Sequence, residues 1–235
     1  MNNTEIINLK KYVVENGLER MNRSFSKNRI NDKNETFYAN KTAERFVEVS
    51  KKYNIPLNYE NFYNYLNKYI LKSKGGFECF LDERIDKWFK KEKQFSKKDM
   101  RIYIRVKFIY DTLSGQLREQ NVKNELKKKC IYFTNPSEDE DIKLAYDLKL
   151  SEDKIIQIKP LSWFNSNDYK QKHTIKGIEN AIKKNISIFL VIYDEKLEKS
   201  LVLTRNGFKD LITIKDLDIE EVKYIIKNKL YKIKY

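Results

Sequence analysis

The stretch KLAYDLKLSEDKIIQIKP, Lys143–Pro160, decides how the rest of the chain is read. Leu144, Tyr146, Leu148 and Leu150 alternate with Ala145, Asp147 and Lys149, the period-two pattern of a strand, so Asp147 is expected to point away from the more apolar face. Ser151 to Lys154 supplies a polar turn. In the second arm Ile155, Gln157 and Lys159 share one side while Ile156 and Ile158 share the other. Pro160, which lacks an amide hydrogen, closes the strand. Folded as a hairpin, the two arms bring Asp147 beside Gln157 and Lys159.

That grouping suits phosphodiester hydrolysis. The reaction needs an activated water, compensation for charge on a pentacoordinate phosphorus and a stabilised leaving oxygen, and a bound Mg²⁺ assists all three. Mg²⁺ takes hard oxygen ligands and keeps several waters, so the Asp147 carboxylate, the Gln157 amide oxygen and the Ile158 carbonyl would suffice to hold it. Lys159 would orient the attacking water and offset phosphate charge. A half-exposed polar hairpin in a lysine-rich chain produces the same spacing with no catalytic role, and both readings stand at this point.

An acidic residue, a hairpin, and an acidic or amide residue two positions before a lysine resemble the signature of the PD-(D/E)xK nuclease superfamily. Here Gln157 stands in place of the second carboxylate. Members of that superfamily often carry a glutamate on the helix before the acidic strand; GQLREQNVKNELKKK, Gly115–Lys129, reads as such a helix and Glu119 matches the place. The order from Gly115 through IIQIKP to ISIFLVIYD is similar to type II restriction endonucleases of the MjaI kind, which cut at CTAG. The similarity covers roughly residues 100–215 and rests on order, spacing and the IKP ending.

The resemblance implies a Mg²⁺-dependent endonuclease for double-stranded DNA. Its catalytic residues would be Asp147, Gln157, Lys159 and Glu119, with the metal held by Asp147, Gln157, the Ile158 carbonyl and Glu119. Cutting both strands of a palindrome implies a homodimer. A cognate DNA methyltransferase acting on the same site is the further partner of a restriction-modification system. Two alternatives remain: a repair nuclease of the same superfamily that prefers branched or single-stranded DNA, and a DNA-binding protein without catalysis.

Composition agrees with a polyanionic partner. The chain has 235 residues, a formal net charge of +14, 40% hydrophobic and 35% charged residues, enough apolar content for a sizeable core and a charge surplus that suits nucleic acid. AT-rich coding also yields lysine- and asparagine-rich chains. Cys79 and Cys130 are the only cysteines, too few for a disulfide framework, which suggests a reducing cytoplasm. With His173 as the sole histidine, zinc hydrolase and paired-histidine chemistries are disfavoured. No signal peptide or membrane-length apolar run is expected.

Helical periodicity dominates the first half, over Ile6–Leu18, Thr42–Tyr53, Tyr59–Leu71, Asp82–Phe89 and Lys97–Leu113, the last capped by Ser96. Glu19 to Asn40 reads as a polar loop in which Arg20, Arg23, Lys27 and Arg29 are candidate DNA contacts, arginine being suited to phosphate and to guanine. The second half predicts a short strand at Ile131–Thr134, the hairpin, a helix over Ile175–Lys184, a central strand at Ile186–Asp194, a further strand at Leu201–Thr204 and a C-terminal helix over Asp216–Tyr235. The expected architecture is α/β (α+β): a mixed central sheet with flanking helices over 114–235, of the restriction-endonuclease-like type, preceded by a mainly helical region over 1–113 for DNA recognition and dimer contacts.

Overall fold

The computed structural model describes residues 1–27, 39–137, 146–163, 168–194, 197–217 and 220, with the side chains of 26, 27, 39, 40, 73, 162 and 168–173 left undescribed. Its residues divide into two compact units, Met1–Leu117 and Arg118–Tyr235. The protein is mixed α/β, with a helical N-terminal half and a five-stranded mixed sheet. Among the described residues no helix is long and apolar enough to cross a membrane.

In the first unit, α1 (Asn3–Glu15) opens with a reciprocal cap: the Glu5 amide donates to the Asn2 side chain and the Asn2 amide to the Glu5 carboxylate, which satisfies two otherwise unpaired helix-end amides. A 3-10 turn at Leu18–Arg20 leads into α2 (Met21–Lys27), followed by α3 (Ala39–Tyr53) and α4 (Tyr59–Tyr65). The next helices are α5 (Phe77–Lys91), α6 (Lys97–Arg105), capped by Ser96 as expected, and α7 (Thr112–Lys128), whose residues from Arg118 on belong to the second unit. The stretches expected as continuous helices over Tyr59–Leu71 and Lys97–Leu113 each contain a π-helical turn. Leu66–Ile70 prolongs α4, and Val106–Asp111 joins α6 to α7, with the Thr112 hydroxyl donating to the Lys107 carbonyl at 2.9 Å. At the first turn the Leu71 N–H donates to the Leu66 carbonyl at 2.8 Å, the five-residue backbone spacing of a π turn.

The reading of Glu19 to Asn40 as a loop is corrected for its first part. Residues 18–27 are helical, and Leu18, Met21 and Phe25 are buried. Their i, i+3, i+7 spacing forms one narrow apolar stripe, enough to dock a helix although polar residues outnumber it. The Phe25 ring meets Trp88, Tyr103 and Phe108 at centroid separations of 5.5, 5.7 and 6.1 Å, all edge to face. Beside it the Trp88 indole N–H donates to the Ser24 hydroxyl at 2.9 Å, sparing a buried donor the cost of going unmet. Residues 28–40 of that segment, apart from the helical backbone of 39 and 40, lie outside the described residues.

The second unit is built on one sheet in the order β1 (Leu148–Ser151), β2 (Lys154–Pro160), β3 (Ser187–Asp194), β4 (Lys199–Thr204) and β5 (Gly207–Asp210). β1 and β2 form the expected antiparallel hairpin, with Leu148 opposite Ile156 and a register shift between Lys149 and Ser151. β2 and β3 are parallel, from Lys154 opposite Ser187 to Pro160 opposite Tyr193. A parallel pair needs a crossover, and α8 (Asp168–Lys183) provides it, starting seven residues before the expected Ile175. All eight residues of β3 are buried, as its unbroken apolar run predicts.

Three expectations differ in this unit. Ile131–Thr134 is not a strand: only Thr134 bridges to Lys149, with both backbone bonds under 3 Å. β4 begins at Lys199, before Leu201, and β5 was not foreseen, because Gly207–Asp210 has too little alternation to show a strand. The C-terminal helix lies outside the described residues beyond Leu217, Glu220 excepted.

If Phe25 anchors α2 in the core of the first unit, Phe25→Ala should lower unfolding free energy by about 3–5 kcal/mol. Urea denaturation measures this, and a change under about 0.5 kcal/mol, the value for a surface loop, would contradict the packing.

Candidate functional site

The hairpin brings Asp147 against the backbone that flanks Gln157. Asp147 sits at the bend that opens β1, where its N–H donates to the Ile156 carbonyl at 2.8 Å and its Oδ2 accepts the Ile158 N–H at 2.6 Å. The carboxylate therefore lies along the edge of β2 and caps a strand amide that β1 is too short to reach. In an extended strand the N–H and C=O of one residue point to the same side. The Ile158 carbonyl accordingly faces the edge that Asp147 occupies.

Gln157 and Lys159 extend from the same side of β2 by strand alternation, opposite Leu190 and Ile192 of the parallel neighbour. Gln157 is 7% exposed, its Oε1 is buried and accepts no hydrogen bond, although the residue is engaged elsewhere. Lys159 is half-buried. Burial holds its ammonium below the usual lysine range, the Asp147 carboxylate acts in the opposite sense, and the Arg118 guanidinium adds to the depression. The Asp147 carboxylate is thus bonded to the backbone between a buried amide and a lysine whose proton is more easily lost than usual.

α7 is tied to the other side of this sheet. The Asn121 amide donates to the Tyr193 hydroxyl at 2.8 Å, and the Glu125 carboxylate accepts from the Ser200 amide at 3.0 Å and from its hydroxyl at 2.8 Å. Tyr193 is opposite Pro160 in β2 and Ser200 in β4, on the face away from Lys159. Val122 and Leu126 bury the apolar part of the same helix. Glu119 is on α7, where Lys123 forms an ion pair with it at 2.5 Å. Arg118, one residue earlier, is the α7 side chain whose charge acts on Lys159. Arg118 was not singled out from the sequence, though its spacing of three and seven residues from Asn121 and Glu125 places all three on one helical stripe.

Arg20 and Arg23 are exposed on the helical segment of the first unit, Arg20 with its guanidinium 6.0 Å from the Phe95 ring centre. Lys27 ends α2 with its side chain undescribed, and Arg29 lies outside the described residues. His173 falls within α8, its side chain likewise undescribed, and Cys79 and Cys130 are exposed thiols. Among the described residues no group of three or more His, Cys, Asp or Glu side chains is placed to hold a metal ion. A cation beside Asp147 would draw on mixed donors, one carboxylate with amide and carbonyl oxygens. No protein-family model, curated protein or solved structure matches the chain.

The depressed Lys159 pKa has a definite sign for stability. The unfolded chain binds this proton more tightly, so folding bears a penalty below the folded pKa, relieved as pH rises from there towards the ordinary lysine value. Lys159→Met should therefore raise the urea midpoint at neutral pH, with the gain shrinking in the alkaline range. Carbon-13 NMR of the lysine ε-carbons should show Lys159 titrating lower still in Asp147→Asn and higher in Arg118→Gln. Shifts of the reverse sign would refute the assigned causes.

Proposed function

We propose that the protein is a Mg²⁺-dependent endonuclease for double-stranded DNA, of the type II restriction kind, on a restriction-endonuclease-like sheet. The observation that carries this reading is the Asp147 to Ile158 hydrogen bond, which holds a carboxylate beside the Gln157-Ile158-Lys159 segment. Carboxylate, amide and carbonyl oxygens are the hard donors that Mg²⁺ prefers, and the donor set fits that ion better than a thiol- or imidazole-seeking metal.

Asp147, Gln157 and the Ile158 carbonyl would hold the ion. When bound, Mg²⁺ supplies Lewis-acid charge and an acidified water. Lys159 Nζ, with its proton more readily exchanged, balances charge at the phosphate and orients the attacking water through a hydrogen bond. Glu119 enters as a further ligand or water holder by exchanging its Lys123 contact. Arg20 and Arg23, with Lys27 and Arg29, would contact DNA, and the net charge of +14 favours such a polyanion. A homodimer matching the two-fold of a palindromic site completes the reading, together with a cognate methyltransferase and a cytoplasmic location.

Incubation with unmethylated phage-sized DNA should give discrete bands with Mg²⁺ and none with EDTA. Asp147→Ala and Lys159→Ala should each abolish cleavage while leaving DNA binding largely intact; near-normal cutting by Asp147→Ala would move the active centre elsewhere. A smear indicates a nonspecific or repair nuclease, and gel-shifted but intact DNA a binding protein. If roughly six to ten phosphates are contacted, affinity should fall by about 10³ to 10⁵ between about 50 and 200 mM salt. A flat salt response would argue against duplex binding.

A further inference from the structure

The end of α4 carries an aromatic and basic surface that the nuclease reading leaves unassigned. Tyr65 closes the α-helical part, the π turn Leu66–Ile70 carries Lys68 and Tyr69, and the 3-10 turn Lys72–Lys74 adds two more lysines. Counted from Tyr65, residues 68, 69 and 72 stand three, four and seven positions on, the spacing of one helical side. Tyr69 is 62% exposed, and Lys68, Lys72 and Lys74 are exposed with it. The Tyr65 and Tyr69 rings are 5.5 Å apart, and the Lys68 ammonium is 5.2 Å from the Tyr69 ring centre. Buried Phe46 of α3 lies 5.4 Å from Tyr65, so Tyr65 is anchored while Tyr69 projects. Arg45 and Glu48 of α3 act on the Tyr65 hydroxyl in opposite senses. From Asn61 to Phe77 the chain has no Asp or Glu, and the next carboxylate, Glu78, is paired with Arg101 and Arg105. The lysines therefore set the sign of this surface.

We propose that Tyr69, backed by Tyr65 and flanked by Lys68, Lys72 and Lys74, is a contact for unpaired DNA, with a base stacked on the Tyr69 ring and the lysines on the neighbouring phosphates. Single-strand binding needs an exposed aromatic face, which any base can stack on, beside a track of cations for the backbone. A core tyrosine lacks the exposure, and a solvated lysine run lacks the ring; both are present here within ten residues of chain. The Lys68 ammonium sits over the ring as a cation–π partner, and its flexible stem lets it turn to a phosphate as a base takes its place. In an intact duplex the bases stack on one another, so this contact requires a single strand, a frayed end or an extruded nucleotide. The net charge of +14 favours a polyanion here over a second copy of the same positive surface. The choice of DNA rests on the nuclease reading; the stacking geometry does not.

The test is fluorescence anisotropy of the full chain in EDTA with a labelled oligothymidine of about 12 nucleotides. Tyr69→Ala should weaken single-strand affinity by about five- to 150-fold, the effect of one lost stacking platform, while Tyr69→Phe, which keeps the ring, should stay within about twofold of wild type. Affinity for a blunt duplex of the same length should change by less than about twofold in Tyr69→Ala, since its bases are already stacked. Lys72→Gln should reduce the slope of log affinity against log salt by about 0.7, the value for one phosphate of a single strand. Tyr69→Ala should melt as the wild type does, because the side chain is exposed. Equal binding by Tyr69→Ala, equal losses in Tyr69→Phe and Tyr69→Ala, or a wild type that ignores the single strand overturns the contact. So does a dimer in gel filtration that Tyr69→Ala turns into a monomer, and tighter binding of oligouridine overturns the choice of DNA. Tyr69-dependent binding by a protein that never cuts DNA keeps the contact and sinks the nuclease reading; Mg²⁺-dependent cutting without Tyr69-dependent binding does the reverse.

Discussion

The parallel pairing of β2 with β3 is the constraint on which the second unit depends. β3 is buried at all eight positions, so it must be covered on both faces, and its neighbour β2 is drawn into the sheet between β1 and β3. A polar residue on such a strand loses water whichever face it takes. Gln157 and Lys159 are there, opposite Leu190 and Ile192. Had the hairpin stood at an open edge, the same two side chains would be solvated and chemically ordinary.

From that burial follows the electrostatics of the candidate site. A lysine withdrawn from water favours its neutral form, and Asp147 only partly offsets this while Arg118 reinforces it. Such an arrangement costs folding free energy at neutral pH. The Asp147 carboxylate meanwhile serves the fold directly, since it accepts an amide of β2 that the short β1 leaves over. One side chain therefore has a structural and a proposed chemical role, and replacements that retain a hydrogen-bond acceptor separate the two.

Much of the architecture was legible from periodicity. The hairpin turn, the buried run of β3, the Ser96 cap and most helices of the first unit follow from patterns confined to neighbouring residues. The departures share a cause. Leu18, Met21 and Phe25 make a stripe only three apolar residues wide amid polar ones, and their value came from Trp88, Tyr103 and Phe108, distant in sequence. Thr134 looked like the end of a strand but bridges Lys149 alone, because pairing depends on a partner's backbone and not on local propensity.

The site divides in the same way. Sequence alone determined that Asp147, Gln157 and Lys159 belong to two arms of one hairpin, since turn chemistry and strand alternation are local. Tertiary structure decided that the Asp147 carboxylate engages the Ile158 amide, that Lys123 pairs with Glu119, and that Arg118 is the α7 charge acting on Lys159. Those outcomes depend on where a helix crosses a sheet and on which strand lies inside it. Crossing and burial are set by packing between segments far apart in the chain, and no short window of residues contains that information.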